Sequence, residues 1–554
     1  MRRIALLVLT AMLTGMLAAC GAGGSGGSNA VQISMLYGSE KQVWIEDVVA
    51  KFNAQGAKIA SGKPINVTAT AIGSNESLNQ IIGGQAQPTI WSPASRILIP
   101  LANEQWGRAN SGAKLVADDS QPLVLSPVVI AMWEPMAKAL GWPAKQLGWS
   151  DIAELTRSGK TWQDYGHPEW GPFQFGHTHP DYSNSGIVSV LATAYAATGK
   201  TRGLSVADVQ KPETAELIRA VESGVIHYGE STGFFADQMF KRGPSYLSAA
   251  VMYENLVIQS RDTARYPNLS LPVVAIYPKE GTFLSDHPFA VLNAPWVTDE
   301  QREAAEVFRT FLMDRPQQEQ ALRYGFRPGD VRVPMGAPLN AANGVDPAQP
   351  QTQLEVPSAQ VLEAVSGVWA QNKKPVEIMA VLDVSGSMDE DGRINSARSA
   401  LQTFVRQLGD NDTFGLTTFS DRSTLVSPLE PLGPKRQRVL DQIGGLFPQG
   451  GTRLYDTISE VYTTLNAEPP GERIRAVVLL TDGEDTKSQQ RADQIIAMLS
   501  QNQEGRSVKV FTIAYGGEAD ANVLKQISES TGAQSYPSDP ASIEKIYREI
   551  ATFF

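Results

Sequence analysis

Three short motifs in the last third of the chain gather the residues best suited to inorganic chemistry: Asp383-Val384-Ser385-Gly386-Ser387, Gly450-Gly451-Thr452 and Thr481-Asp482-Gly483. The first and third follow continuous apolar runs at 376–382 and 474–480, and the second immediately precedes a helical pattern at 454–465. Such runs read as buried parallel strands, and in parallel sheets ligands bind at the carboxyl ends of the strands. Asp383, Ser385, Ser387, Thr452 and Asp482 are therefore expected on one rim, as two carboxylates and three hydroxyls. Hard oxygen donors of this sort suit Mg²⁺, which keeps some of its waters and does not need a complete protein shell. Mn²⁺ and Ca²⁺ accept the same donors, while the lack of His and Cys in the set disfavours zinc, copper and iron.

The elements that must position these residues follow from periodicity. Strands are predicted at 376–382, 413–419, 474–480 and 508–514, and helices at 394–408, 436–446, 454–465, 492–499, 523–528 and 543–553. Apolar strands alternating with amphipathic helices give a doubly wound, mostly parallel sheet covered on both faces. The five site residues, in this order and spacing, closely resemble the metal-ion-dependent adhesion site of the von Willebrand factor type A (VWA) family. That pattern is Asp-x-Ser-x-Ser, a distant Thr and a distant Asp, and the resemblance covers 375–554. It implies that Ser385, Ser387 and Thr452 coordinate directly or through water, and that Asp383 and Asp482 bind the metal or orient its waters. It also implies that a partner's carboxylate completes the shell. Asp389, Glu390, Asp391, Glu484 and Asp485 flank the motifs and read as a solvated acidic rim.

Upstream, residues 31–326 also alternate between strand and helix patterns. A strand at 31–37 leads to a helix at 41–52, and a strand at 67–72 runs into Gly73-Ser74-Asn75-Glu76-Ser77, a helix start. Ser183, Asn184 and Ser185 open a second helix in the other half of the region. Helix N-termini offer free N–H groups and a positive dipole end, so two facing each other would hold a small polar or anionic solute. Ser92, Ser126, His179, Tyr253 and Glu254 complete the candidate cleft, although Glu254 would oppose a strong anion. The region resembles the type II periplasmic solute-binding proteins in its element order. It does so too in Leu125-Ser126-Pro127-Val128-Val129-Ile130, Gly148-Trp149-Ser150-Asp151-Ile152 and Phe175-Gly176-His177-Thr178-His179-Pro180. The resemblance implies two α/β lobes, a hinge and a ligand cleft between them. Residues 327–374 read as an irregular Pro-, Gly- and Ala-rich connector carrying one short helix at 358–369. The whole is thus expected to be α/β: a bilobal region followed by a Rossmann-like VWA domain.

Composition bounds what this assembly does. With 42% hydrophobic and 19% charged residues, the 554-residue chain suits folded domains. Its net charge of −11 argues against a nucleic-acid binder. The single cysteine, Cys20, excludes a disulfide framework and Cys-based metal sites. Residues 1–19 carry Arg2 and Arg3, then an apolar run and small residues, which is the layout of a signal peptide. Leu17-Ala18-Ala19-Cys20 resembles the lipobox of bacterial lipoproteins, which implies that Cys20 is lipidated after cleavage. The Gly/Ser-rich stretch at 20–30 then reads as a tether, and loss of two arginines takes the charge from −11 to −13.

The expected protein is a non-enzymatic lipoprotein. It is held by a lipid anchor at a membrane, faces the periplasm or cell exterior, and binds a solute or a carboxylate-presenting partner protein. The alternative is the substrate receptor of an ABC-type importer with an accessory VWA domain. A metal-dependent hydrolase is disfavoured, because no His or Cys lies near the metal motifs and no nucleophile elbow is present.

Overall fold

The computed structural model describes residues 30–117, 120–467, 473–500, 508–551 and 553–554. Cys20, the 1–19 leader and nearly all of the 20–30 tether lie outside the described residues. Among the described residues no helix is long and apolar enough to cross a membrane.

The chain builds three sheets. The first lobe contains β1 (Val31–Gly38), α1 (Gln42–Gln55), β2 (Ile65–Ile72), α2 (Ser74–Ile82) and β3 (Ile90–Ser92). The second contains β4 (Val124–Trp133), β5 (Phe175–Thr178), α3 (Asn184–Thr198), β6 (Val225–Gly229), α4 (Thr232–Arg242), β7 (Ala249–Tyr253), α5 (Glu254–Gln259), β8 (Val273–Ile276) and β9 (Leu284–Ser285). The chain then returns to the first lobe: β10 (Ala290–Val291) pairs antiparallel with β3, and α6 (Asp299–Met313) packs on β1. It crosses once more at β11 (Arg327–Pro328), which pairs with β4. The strand orders are β10-β3-β1-β2 in the first sheet and β11-β4-β7-β5-β6 in the second, with β8 and β9 also on β4.

The connector is anchored rather than loose. Its helix α7 (Ala359–Asn372) starts where Ser358 accepts from Val361 N, and it lies on the second lobe, with the Trp369 ring 4.8 Å from His179 and 5.5 Å from Tyr228.

The third sheet follows at once. Its elements are β12 (Val376–Asp383), α8 (Arg393–Gln407), β13 (Thr413–Phe419), β14 (Ser423–Pro431), α9 (Arg436–Gly444), α10 (Leu454–Ala467) and β15 (Ile474–Thr481). Then come α11 (Ala492–Ser500), β16 (Lys509–Tyr515), α12 (Ala521–Ser530), β17 (Ser535–Ser538) and α13 (Ile543–Ala551). The order β14-β13-β12-β15-β16-β17 is parallel throughout except for β13 with β14. The mixed α/β architecture agrees with the reading of the sequence, but β14 and β17 add two edge strands to it. β14 is exposed along most of its length and carries two prolines, so it has neither the apolar run nor the alternation that marks a strand.

Side-chain alternation assigns the sheet's two faces. Ile378, Ala380 and Leu382 join an apolar core that runs unbroken into α7 and the second lobe, while Met379 and Val381 face a separate core under α10 and α11. A third core fills the first lobe. The metal-motif domain is therefore fused to the second lobe by shared packing. Tyr228 N donates to Phe553 O at 3.3 Å and Lys373 Nζ to Phe554 O at 2.5 Å. Near this seam burial pushes the Glu230 carboxyl up to about 8, helped by Glu549 on α13 and Glu76 on α2. Unfolded, Glu230 loses its proton near 4.5; folded, it keeps it to about 8, so stability declines as pH rises between those values. Thermal unfolding followed from pH 5 to 8 should show that decline, and Glu230→Gln should make it shallower by about 1 kcal/mol or more.

Candidate functional site

The carboxyl ends of β12 and β15 define the metal-motif rim. The two strands are parallel neighbours, with Leu382 opposite Leu480, so Asp383 and Asp482 emerge side by side. Backbone bonds stitch the three loops together: Gly386 N donates to Gly450 O at 2.9 Å, Gln449 N to Val384 O at 2.7 Å and Thr486 N to Thr452 O at 2.9 Å. Ser387 Oγ lies 3.0 Å from Ser385 Oγ and donates to Asp482 Oδ1 at 2.7 Å. A β-carbon on Gly483 would sit 3.8 Å from Ser387 Oγ and 3.9 Å from Thr452 Oγ1, which brings the threonine oxygen into the same cluster.

Two further residues belong to the rim beyond the five expected. Thr481 Oγ1 donates to Asp383 Oδ2 at 2.5 Å, and Arg393, at the start of α8, donates to Asp482 Oδ2 at 2.9 Å. Thr481 stands beside Asp482 in the third motif, which was a usable signal; Arg393 had none.

The charges are unevenly balanced. Asp482 is met by Arg393, whereas Asp383 is fully buried and has only hydroxyl and amide donors, with no ion pair among the described residues. Burial pushes the Asp383 carboxyl up to about 6, against the hydrogen bonds from Thr481 and Ser385. A desolvated carboxylate without a cation, surrounded by hydroxyl oxygens, fits a hard divalent ion. Of the flanking acids, Asp389, Glu390, Asp391 and Glu484 are exposed. Asp485 instead accepts the N–H groups of Leu454 and Tyr455 at 2.8 and 3.2 Å, capping α10.

The interlobe seam is closed. The N-terminus of α2 does not present free N–H groups: Asn75 N and Glu76 N both donate to Tyr182 O, at 3.1 and 3.0 Å, and Asn75 Nδ2 donates to Pro180 O at 2.6 Å. Ser74 Oγ accepts from Ala94 N at 3.0 Å. At the second candidate helix, Ser183 and Ser185 bond Thr232, and Asn184 Nδ2 donates to Tyr253 OH at 2.9 Å. Ser126 Oγ donates to Asn255 Oδ1 at 3.0 Å.

Two further candidates are engaged by other partners. His179 is enclosed by Trp369, Tyr228 and Tyr182, and its imidazole is held well below its ordinary value by burial. Glu254 forms a buried two-point ion pair with Arg327, at 2.7 and 2.8 Å, so its charge is answered from β11 and does not oppose a solute.

The seam's interior also holds groups the sequence did not single out. Lys41 Nζ sits 3.0 Å from Glu40 Oε1, 3.0 Å from Ser92 O and 3.2 Å from His287 Nδ1, all fully or nearly fully buried. His287 has a φ of 39°, a strained backbone for a non-glycine residue. Among the described residues, Asn75 Oδ1, Ser92 Oγ, Asn184 Oδ1 and His287 Nε2 are buried without a hydrogen-bond partner. Unanswered polar atoms in such number are uncommon in a folded interior and mark where a polar guest would gain bonds.

Comparison with known proteins follows this division. Residues 33–327 match the family model described as bacterial extracellular solute-binding protein, and residues 377–549 match the von Willebrand factor type A domain. An uncharacterized protein of Mycobacterium tuberculosis is 22% identical over 510 residues, 88% of this chain and 71% of its own. Calcium-activated chloride channel regulator 1 of Mus musculus is 30% identical over 166 residues, 29% of this chain and 17% of its own. Among solved structures, a periplasmic thiamin binding protein covers 62% of this chain and 96% of its own, with 12% identity and a TM-score of 0.44. A von Willebrand factor type A protein from Catenulispora acidiphila covers 32% and 42%, with 22% identity and a TM-score of 0.29.

The closed seam depends on glycine where α2 meets the opposite lobe. A β-carbon at Gly73 would lie 2.3 Å from Tyr182 O. Gly73→Ala is therefore expected to cost the closed state about 1–3 kcal/mol. Amide exchange at Asn75 and Glu76 should accelerate about tenfold or more, while amides of β12 and β15 keep their rates.

Proposed function

The chain belongs to the family of bacterial extracellular solute-binding proteins, and from that premise we propose that it is an extracytoplasmic, lipid-anchored binding protein whose C-terminal VWA domain docks a partner protein's carboxylate through a divalent cation. The single observation that carries this reading is the buried, uncompensated Asp383 among the oxygens of Ser385, Ser387, Thr452 and Asp482. Mg²⁺ is the ion the donors suit best, with Mn²⁺ and Ca²⁺ as substitutes. Once bound, the cation supplies a Lewis-acidic position for a carboxylate oxygen. Asp383 and Asp482 would hold it, and the three hydroxyls would complete the protein's share of the donors. Arg393 pairs with Asp482 at 2.9 Å and orients it. The exposed Asp389, Glu390 and Asp391 beside the rim concentrate cations and turn away polyacidic partners. Anchorage through Cys20 would place this rim outside the cytoplasm, where the family works.

A second reading, the substrate receptor of an ABC-type importer, is favoured by the unpartnered polar atoms of the interlobe seam. There Ser92, Asn184 and His287 would take a small polar solute after the lobes part. Glu40 and Lys41 neutralise each other, which suits an uncharged or zwitterionic solute better than a free oxyanion.

The two readings separate experimentally. The full chain and its Asp383→Ala variant are used to capture proteins from detergent-solubilised membranes of the source cell, with Mg²⁺ or with EDTA. The proposal expects one partner retained by the parent with Mg²⁺ and lost, at least tenfold, with EDTA or in the variant. Retention indifferent to both would contradict it. A solute that binds the parent and Asp383→Ala equally by calorimetry would instead favour the importer receptor.

A further inference from the structure

Where the VWA domain is attached to the second lobe lies a buried polar network that neither the metal rim nor the interlobe seam uses. His177 on β5, Glu222 on the helix Pro212–Ser223 and Tyr228 on β6 are all fully or nearly fully buried. His177 Nε2 lies 2.9 Å from Glu222 Oε1, and Tyr228 OH donates to Glu222 Oε2 at 2.7 Å. The Tyr228 hydroxyl in turn accepts from the backbone N–H of Lys374, just ahead of β12. Tyr228 N donates to Phe553 O at 3.3 Å, and its ring meets Trp369 of α7 at 5.5 Å. Arg219, on the same helix as Glu222, donates to Asn372 Oδ1 at the end of α7 at 2.6 Å. The network thus reaches both attachments of the VWA domain, the connector that enters it and the segment that follows α13.

The acceptors fix the protons. His177 Nδ1 lies 2.8 Å from Thr178 O, which only accepts, so Nδ1 carries a hydrogen. The Tyr228 hydroxyl hydrogen is committed to one Glu222 oxygen. A second ring proton, on Nε2, joins His177 to the other oxygen; without it a lone pair would face a carboxylate at 2.9 Å. Among the described residues no Lys or Arg pairs with Glu222, so His177 is the group that answers its charge. Burial works against the imidazolium, but Glu222 outweighs it and raises His177 above its ordinary value. Of the ionisable groups nearby, burial holds His179 well below its ordinary value and His227 down to about 3, while Lys373 faces Asp412 at 3.6 Å. On α4, Asp237 pairs with Lys241 at 2.6 Å and Arg242 donates to Gly532 O. The other elements packed on β5, α3 and β7, contain no charged residue.

We propose that an imidazolium at His177, bridged to Glu222, locks the VWA domain onto the second lobe, and that losing its Nε2 proton at rising pH loosens that attachment. The contribution is complete below about 6.5 and declines as pH climbs through the higher folded value. Deprotonation leaves two buried acceptors opposed, and the network yields by turning Glu222 away from His177 and Tyr228. The bonds that Tyr228 makes to Lys374 and Phe553 then lose their brace. Glu222→Gln is the informative substitution. Its amide can donate to a neutral His177 Nε2 and still accept from Tyr228 OH, which keeps the network without the added proton.

The test follows the full chain, labelled with ¹⁵N-histidine, by nuclear magnetic resonance and by hydrogen exchange, from about pH 6 to about pH 10. Near neutral pH the His177 ring, assigned by its absence from His177→Gln, is expected as the doubly protonated imidazolium. In Glu222→Gln it is expected as the neutral ring with its hydrogen on Nδ1. As pH rises, exchange at the Tyr228 amide, corrected for its intrinsic pH dependence, should accelerate about tenfold or more in the parent. Glu222→Gln should flatten that response, while the amides of β13 stay unchanged in both. Glu230→Gln, made alongside, separates the decline due to Glu230 and should leave the Tyr228 response in place. A neutral His177 ring in the parent near neutral pH would overturn the proposal. So would a Tyr228 response that is absent from the parent, or equal in the parent and Glu222→Gln.

Discussion

Asp383 ends the central strand of the VWA sheet with none of its surface exposed, and no cationic side chain among the described residues answers it. Holding a carboxylate there constrains everything around it. The parallel pairing of β12 with β15 places Asp482 alongside, and three backbone-linked loops bring hydroxyls from sequence positions far apart. Thr481 and the Ser385 amide supply hydrogen bonds, but these answer dipole to charge and leave the charge itself uncompensated. Such an arrangement makes sense for a site completed by a cation from solution. Arg393 marks the contrast, since it answers Asp482 and leaves Asp383 as the unsatisfied member.

The rest of the molecule surrounds this site with rigid attachments. The apolar core that covers one face of the VWA sheet continues into α7 and the second lobe, so the sheet and the lobe share packing. The two lobes are closed on each other, with Tyr182 O seated on the amides of α2 and Gly73 allowing that approach. A charge trio of Glu40, Lys41 and His287 is sealed inside. Burial alone would raise the Glu40 carboxyl, but Lys41 overrides it and holds it down to about 2, so the pair stays ionic within the seam. Anything that enters between the lobes must first part them.

Much of this was legible in the amino-acid sequence, and the limits are physical. That the three loops meet was readable because each motif is local, the first and third ending apolar runs and the second opening a helix, where topology brings strand ends together. The α/β class followed from periodicity. β14 escaped because an exposed edge strand broken by Pro428 and Pro431 has no face to bury. Arg393 and Arg327 escaped because their partners, Asp482 and Glu254, are 89 and 73 residues away, and pairing at that range leaves no local trace. The serines at the starts of α2 and α3 were recognisable as helix-start residues. That Tyr182 O occupies the first of these helix ends depends on how the lobes meet. Lys41 and His287 meet only because the chain returns to the first lobe before β10.

The most direct measurement of the central claim is an electron paramagnetic resonance titration of the full chain with Mn²⁺ at neutral pH, repeated with Asp383→Asn. The account expects one Mn²⁺ bound per chain, displaced by excess Mg²⁺, with affinity reduced at least tenfold in the variant. Binding that is absent from the parent, or unchanged in Asp383→Asn, would contradict it.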